Sequence, residues 1–485
     1  MATKKDLVEA YSFSRRRLVT AFVSGAPGGR EVEPARPGRT IVGGLALAVL
    51  LGAGAAIAGV FSPTAPNDWK KQGLIISKDT GSAYVIVDDS SDPELRPVIN
   101  STSAKLILGA DAKPTLIAQG TIDDQRIGDD IGILGAPASV PTPSLLIDSG
   151  WTACTAADAG IRVSIAERSD VTPVLDAGIT VSNGGEYFAV VPTGDTTTAG
   201  ARDPGAYVYP VPPQGANGNQ TDNLLAALHL QSTGNAIPVS REWINLFPTG
   251  APLDWSSFEI TKFGQPPEYA ANDATGVLGD KRVGDLLLAG DEELLLADTG
   301  PRQLSDFAAQ VYRNVITPDG TVVTPKQVDS PPQVPRERVD AANDPHWPAA
   351  APEQDPILEP CAQLTAEAGS APVVQLAAPG AEPDSASSGA DVPAGEKDPV
   401  VEAGRGAYVL SGGWSDTDQG SPFVIDSKGR ANPLVGDDAA ALLGYGSYDV
   451  AVVPDTWVKL FACGVNLSRD AALSPPRETG EDACA

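Results

Sequence analysis

Ala226–Gly250 reads AALHLQSTGNAIPVSREWINLFPTG, and 214 residues later Ala440–Gly464 reads AALLGYGSYDVAVVPDTWVKLFACG. The two stretches align without a gap and share eight of 25 residues, Trp243 and Trp457 among them. The same order recurs elsewhere. Strand-like Tyr84–Val87 leads to Arg96-Pro97-Val98, then Ser103–Leu108 and Gly109. Phe423–Asp426 leads to Asn432-Pro433-Leu434, then Asp438–Leu443 and Gly444. A weaker copy runs Leu294–Asp298, Gly300, Ser305–Arg313. Each unit reads as a β-hairpin followed by a short helix that ends near glycine.

Four diverged copies with unequal spacers, spread over 72–472, do not make a solenoid. They predict an α+β fold in which small modules surround a central β-rich domain. The central segments are Leu145–Ile147, Arg162–Ala166 and Val174–Leu175 on one flank, and Ile357–Leu364 and Val373–Leu376 on the other. Cys154 and Cys361 lie in these flanks, and a bond between them would close 207 residues, worth roughly 4 kcal/mol or more in the chain-entropy model. Residues 324–358 are Pro-rich, and 379–399 form an acidic low-complexity loop.

At 485 residues the chain has room for about two to four domains of ~100–200 residues. Fifty Gly and 43 Pro disfavour a long helical bundle. Against 62 acids there are 34 Lys and Arg, a net charge of −28, which argues against nucleic-acid binding. The charge is divided: residues 1–40 carry +4 and the rest −32. The two parts meet at Ile41–Phe61, IVGGLALAVLLGAGAAIAGVF, 21 uncharged residues. As a helix this rises about 31 Å, a membrane span. The alternative is a secretory signal with Ala56-Ile57-Ala58 as its cleavage site, but forty residues precede the span and its apolar run is long for a signal. Trp69, Lys70 and Lys71 suit the far interface. The Arg-rich arm places the N-terminus inside and residues 62–485 outside. Within the arm, Leu7, Tyr11, Leu18 and Phe22 share a face at near-helical spacing, beside Arg15, Arg16 and Arg17.

All four cysteines, Cys154, Cys361, Cys463 and Cys484, follow the span, which permits two disulfides in three pairings or some buried thiols. No Gly-Lys dipeptide occurs, so there is no Walker A loop, and no Gly-x-Ser-x-Gly elbow occurs either. The two histidines supply no zinc site or triad. His229, aligned with Leu443, reads as a packing residue, and His346 as a solvated linker residue. The acid pairs Asp88-Asp89, Asp123-Asp124, Asp129-Asp130 and Asp437-Asp438 read as turns. Trp243 and Trp457 read as module anchors, with sugar stacking as the alternative. No catalytic residue, cofactor or metal ligand is predicted.

The domain map is 1–40 arm and linker, 41–61 span, 62–143 first repeat, and 144–185 central domain, first part. Then come 186–253 second repeat, 254–323 third repeat, 324–358 Pro-rich linker, and 359–377 central domain, second part. The chain closes with 378–401 acidic loop, 402–472 fourth repeat and 473–485 tail.

This combined order resembles the EccB family, core membrane components of the ESX, or type VII, secretion machinery. Lys4–Phe22 with its Arg run is similar to the cytoplasmic arm of that family. Ala440–Tyr445 resembles its last repeat, and Trp243–Gly250 the close of an earlier one. The resemblance implies an elongated extracytoplasmic body on a single-pass inner-membrane anchor, with repeats similar to a phage-lysin cell-wall-binding subunit. It implies a structural subunit that assembles with EccC, EccD, EccE and a mycosin protease, self-associates as a dimer within a larger oligomer, and supports export of small helical substrates. It also implies a Cys154–Cys361 bridge; a Cys463–Cys484 bridge is a further expectation of our own. Leu7, Tyr11, Leu18 and Phe22 are expected to dock on EccC or EccD, with Arg15–Arg17 on lipid phosphates or acidic partner residues. Some members are labelled ATPases, which the absent Walker A loop argues against. A membrane-anchored peptidoglycan-binding protein and an ATP-hydrolysing accessory subunit are the alternatives.

Overall fold

Each copy of the repeated motif folds as a three-stranded antiparallel meander, a helix, and a strand that returns parallel to the first. The computed structural model describes residues 4–24 (side chains of 4–19), 68–193, 205–213, 219–337, 347–353, 357–380 and 388–477. The predicted span 41–61, His346 and Cys484 lie outside these residues. Among the described residues no helix is long and apolar enough to cross a membrane. Two compact units are present, 1–66 and 67–485. In the first, α1 spans Lys4–Ser24.

In the second unit, repeat 1 comprises β1 (Gly73–Ser77), β2 (Ala83–Ile86), β3 (Glu94–Pro97), α2 (Ser101–Leu108), β4 (Thr115–Ile117), α3 (Gln119–Asp123) and β5 (Arg126–Ile127). Its sheet order is β4-β1-β2-β3-β5, with both added strands parallel to their neighbours. Then β6 (Trp151–Cys154), β7 (Ile161–Ile165) and β8 (Val171–Pro173) open the central sheet. Repeat 2 follows with β9 (Ile179–Asn183), β10 (Glu186–Thr193), β11 (Gly205–Val211), α4 (Gln220–Ala227), β12 (Ile237–Pro238) and α5 (Arg241–Ile244), in the order β11-β10-β9-β12. Repeat 3 has β13 (Leu286–Ala289), β14 (Glu292–Leu296), β15 (Pro301–Gln303), α6 (Asp306–Asn314) and β16 (Lys326–Gln327), in the order β15-β14-β13-β16. The central sheet resumes with β17 (Cys361–Thr365), β18 (Val373–Pro379) and β19 (Lys397–Val401). Repeat 4 closes with β20 (Ala407–Gly412), β21 (Ser421–Ile425), β22 (Arg430–Pro433), α7 (Ala439–Leu443), β23 (Val452–Pro454), α8 (Asp455–Val458) and β24 (Ala462–Cys463), before α9 (Arg469–Leu473). The fold is mixed α+β with several small sheets.

Local chemistry starts and stops the helices. Asn100 accepts from Ser103 N, Ser240 from Trp243 N, and Ser305 from Ala308 N, each satisfying an amide the first turn leaves open. Gly444 ends α7 at φ +96°. The repeated glycine has a packing reason at Gly464. A Cβ there would lie 2.2 Å from Oδ1 of Asn432, a fully buried side chain that donates to Val424 O and accepts from Val465 N.

The repeats pair across the chain. Helix α2 of repeat 1 packs on α7 and α9, and its Leu106 and Ile107 share a core with Leu434, Leu443 and Tyr445. Helix α4 of repeat 2 packs on α6 of repeat 3 over Leu224, Leu225, Phe307 and Val311. A third core joins the central sheet to repeats 2 and 4 through Trp151, Trp243 and Trp457, all fully buried.

The structure departs from several sequence expectations. The third strand of each meander and the parallel return were hidden because those strands are two to four residues long in most copies. Strand β9, at 179–183, pairs with β10 in repeat 2 instead of belonging to the central domain. Residues 397–401 are a strand, pairing in parallel with β7 at the sheet edge, where Pro399 is tolerated; acidic and Pro-rich neighbours masked it. The first-flank strand ends at Pro173, one residue before the expected Val174–Leu175, and Leu175 is exposed. Leu145–Ile147 contributes a single bridge from Leu146 to Gly406. The Pro-rich stretch is seated: Gly300 meets Pro335 O, and Trp347 Nε1 donates to Ala251 O.

Candidate assembly surfaces

In α1 the side chains of Leu7, Tyr11 and Leu18 are 66%, 73% and 65% exposed. At 100° per residue they fall within an arc of about 40°, and Phe22 is placed at its edge by spacing alone. The side chain of Phe22 lies outside the described residues. Val8 and Val19, also exposed, widen this apolar sector, and Phe13 projects from the opposite side; sequence reading missed all three, though their exposure follows from the same periodicity. Arg15 falls inside the widened sector, between Phe22 and Val8, and Arg16 and Arg17 continue round the polar side. Covering each large apolar side chain is worth about 1.5–3 kcal/mol, so this face gains from a partner surface.

In the second unit, one register row crosses all six central strands: Asp398, Arg162, Cys154, Cys361, Ala377 and Pro173. Cys154 and Cys361 are direct cross-strand partners and are disulfide-bonded, with Cα atoms 4.0 Å apart. Sequence reasoning passed over Arg162. Its guanidinium donates to Asp398 Oδ2 at 3.0 Å, to Ser388 O at 2.8 Å and to Asp391. The hydrogen bond from Arg162 holds the Asp391 carboxyl below its ordinary range. On exposed β24, Cys463 is itself disulfide-bonded.

The repeated tryptophans are core groups, each with a committed indole. Trp243 Nε1 donates to Ala153 O at 3.0 Å, and Trp457 Nε1 to Leu246 O at 3.1 Å. Fully buried rings offer no face to a sugar, so the stacking alternative at these positions is overturned. His229 is also corrected. It is exposed, sits at φ +56° just past α4, and its Nδ1 lies 2.6 Å from Pro352 O. Helix α4 ends at Ala227, aligned with Ala441, whereas α7 runs on to Leu443, so His229 falls past its helix end and out of the packing position that the gapless alignment gave it.

Three tyrosines gather where repeat 4 meets the first part of the central domain. Tyr408 stacks on Tyr445 at 4.7 Å, Tyr445 Oη donates to Pro141 O, and Tyr448 Oη donates to Asp148 Oδ2. Burial, then the nearby Asp148 charge, pushes the Tyr448 phenol up to about 12. A cavity of about 330 Å³ lies between repeats 2 and 3, lined by Pro212, Gln220, Leu224, Trp255, Asn314 and Ile316. Two of its polar atoms have protein partners: Gln220 Nε2 donates to Asn314 O, and Asp254 Oδ1 accepts from Ser256 N. Among the described residues no group of three or more His, Cys, Asp or Glu could hold a metal.

Comparison with known proteins gives a consistent result. The family model described as "Type VII secretion system ESX-1, transport TM domain B" matches residues 1–476. The ESX-1 secretion system ATPase EccB1 of Mycolicibacterium smegmatis is 35% identical over 119 residues, 24% of this chain and 23% of the relative. EccB1 of Mycobacterium tuberculosis is 28% identical over 316 residues, 64% of this chain and 59% of the relative. The matched stretch thus spans less than two thirds of these relatives' length. Among solved structures, a chain of an intact ESX-5 inner membrane complex matches with a TM-score of 0.59 at 21% identity, over 99% of this chain and 97% of that one. A chain of the EccB3 dimer from the ESX-3 core complex matches with a TM-score of 0.59 at 19% identity, over 83% and 100%. These likenesses establish the shared fold, and the family match over nearly the whole sequence means that the chain belongs to the EccB family of type VII secretion components.

Proposed function

We propose that this protein is a structural subunit of an ESX inner-membrane complex, crossing the membrane once with α1 in the cytoplasm and residues 62–485 outside. The carrying observation is the exposed apolar sector of α1, which an arm working by charge alone would not need. Leu7, Tyr11, Leu18 and Phe22 dock on cytoplasmic parts of EccC or EccD, while Arg15–Arg17 meet lipid phosphates or acidic partner residues. Outside, the paired repeats and the cross-linked central sheet present a rigid body to EccE, to a mycosin protease and to a second copy of the chain. Cys463 pairs with Cys484. ATP hydrolysis belongs to another subunit on this reading, because the chain lacks the loop that cradles phosphate.

Four docked side chains supply about 6–12 kcal/mol before the costs of association. Replacing Leu7, Tyr11, Leu18 and Phe22 together by Ser should leave the protein in the membrane and release it from EccC and EccD on affinity purification. Normal co-purification with intact secretion would overturn the docking role.

A further inference from the structure

We infer that Ser388–Val401 is a strap that governs thiol access to the Cys154–Cys361 disulfide, with Arg162 as its latch. The cystine occupies the middle of the row that crosses the central sheet, and its residues are 1% and 0% exposed. Arg162 stands beside Cys154 on the same face of the sheet, because directly paired antiparallel residues share a face. From there its guanidinium reaches three acceptors on the strap: Ser388 O, Asp391 and Asp398. The strap then runs close over the Cys154 strand. A Cβ on Gly389 would lie 2.3 Å from Cys154 O, and one on Gly160 would lie 2.3 Å from Glu396 O. Gly160 N also donates to Val392 O, and Ser388 Oγ donates to Glu359 Oε2. Only on the far side is the bond covered by its own sheet, through Val171 and Ala377.

The two covers differ in kind. Ala377 belongs to the interior strand β18, paired on both sides, which opens only when the sheet opens, while Val171 lies on β8 at the sheet's opposite edge. The strap is an edge element. Beyond its Arg162 contacts and a few loop bonds it is held by buried Val392, by Lys397 on Lys459 O and by β19, which pairs on one side only and packs Val401 on the main core; edge elements of this kind open at lower free energy than interior strands. Thiol–disulfide exchange requires a thiolate to reach one sulfur, so its rate follows access. With a dithiol as reductant, one thiolate attacks a cystine sulfur, forms a mixed disulfide and expels the other cysteine as thiolate. The second thiol of the reagent then closes its own ring and releases the first cysteine. The reagent is oxidised by two electrons and the cystine is reduced by two.

The test compares reduction by dithiothreitol in the full-length protein held in membranes. Thiols released at Cys154 and Cys361 are counted by maleimide labelling and peptide mass. Arg162→Met removes the latch, and Gly389→Ala independently drives the strap off Cys154. Both should accelerate reduction at least about tenfold, at a rate nearly insensitive to low urea. Leu106→Ala, in the core shared by repeats 1 and 4 and remote from the strap, serves as a destabilised control. Unchanged reduction in both strap variants would overturn the proposal. So would equal acceleration in the control at matched stability, because the sulfurs would then be reached through general unfolding.

Discussion

Trp457→Phe is the sharpest probe of how the repeats are joined. The indole is fully buried, and its N–H donates at 3.1 Å to the carbonyl of Leu246, a residue of repeat 2 and not of repeat 4. Phenylalanine keeps most of the ring and removes the donor. Stranding a buried carbonyl costs about 1–3 kcal/mol. The smaller ring leaves on the order of 40 Å³ unfilled, about 1 kcal/mol at ~24 cal/mol per Å³. The sum, about 2–4 kcal/mol, corresponds to faster amide exchange by roughly 30- to 700-fold wherever protection depends on this junction. Hydrogen exchange read by mass spectrometry should show that loss in peptides of repeat 4 and equally around Ile237–Phe247 of repeat 2. Trp414→Phe, half-buried at the rim of the same core, should cost under about 1 kcal/mol. If the repeat 4 peptides lose protection while repeat 2 keeps its own, the indole does not couple the modules and the reasoning fails.

Replacing Cys154 and Cys361 together by Ala should destabilise the second unit by up to about 5 kcal/mol, the chain-entropy value for a closed loop of 207 residues. A urea midpoint that does not move would contradict this. Alkali should also destabilise the fold. Tyr448 is raised from 10.0 to about 12, and Tyr269, Tyr312 and Tyr445 are raised too, first of all by burial. Their neutral forms are favoured in the folded protein, so the stability they contribute is complete below about pH 10 and is lost as pH rises through the folded values. Melting temperature followed together with phenolate absorbance should fall from about pH 10 upward, and a flat profile to pH 12 would refute it. Asp148→Asn should lower the Tyr448 value, since the carboxylate charge opposes the phenolate.

Much of the candidate surface was legible from residue spacing alone. Leu7, Tyr11 and Leu18 fall on one face because a helix repeats every 3.6 residues, and the Arg run beside them is a local feature. Arg162 was not legible in this way. Its acceptors lie 226 to 236 residues away, and nothing local to Arg-Val-Ser announces a latch. His229 was misplaced for a related reason: a gapless alignment cannot register that α4 ends two aligned residues before α7 does, which only backbone geometry reveals.

The sequence by itself determined the modules, their order and their anchors. Repetition of Ala-Ala-Leu, Trp, Leu-Phe and Gly at equal spacing is a local, periodic signal, and capping residues such as Asn100 and Ser305 mark helix starts without reference to the rest of the chain. Only the tertiary structure decided which modules pair. Repeat 1 closes on repeat 4 and repeat 2 on repeat 3, because each helix buries its apolar face against the partner helix that the central sheet brings beside it. That choice depends on contacts between residues hundreds of positions apart, and no pattern within a single repeat encodes it.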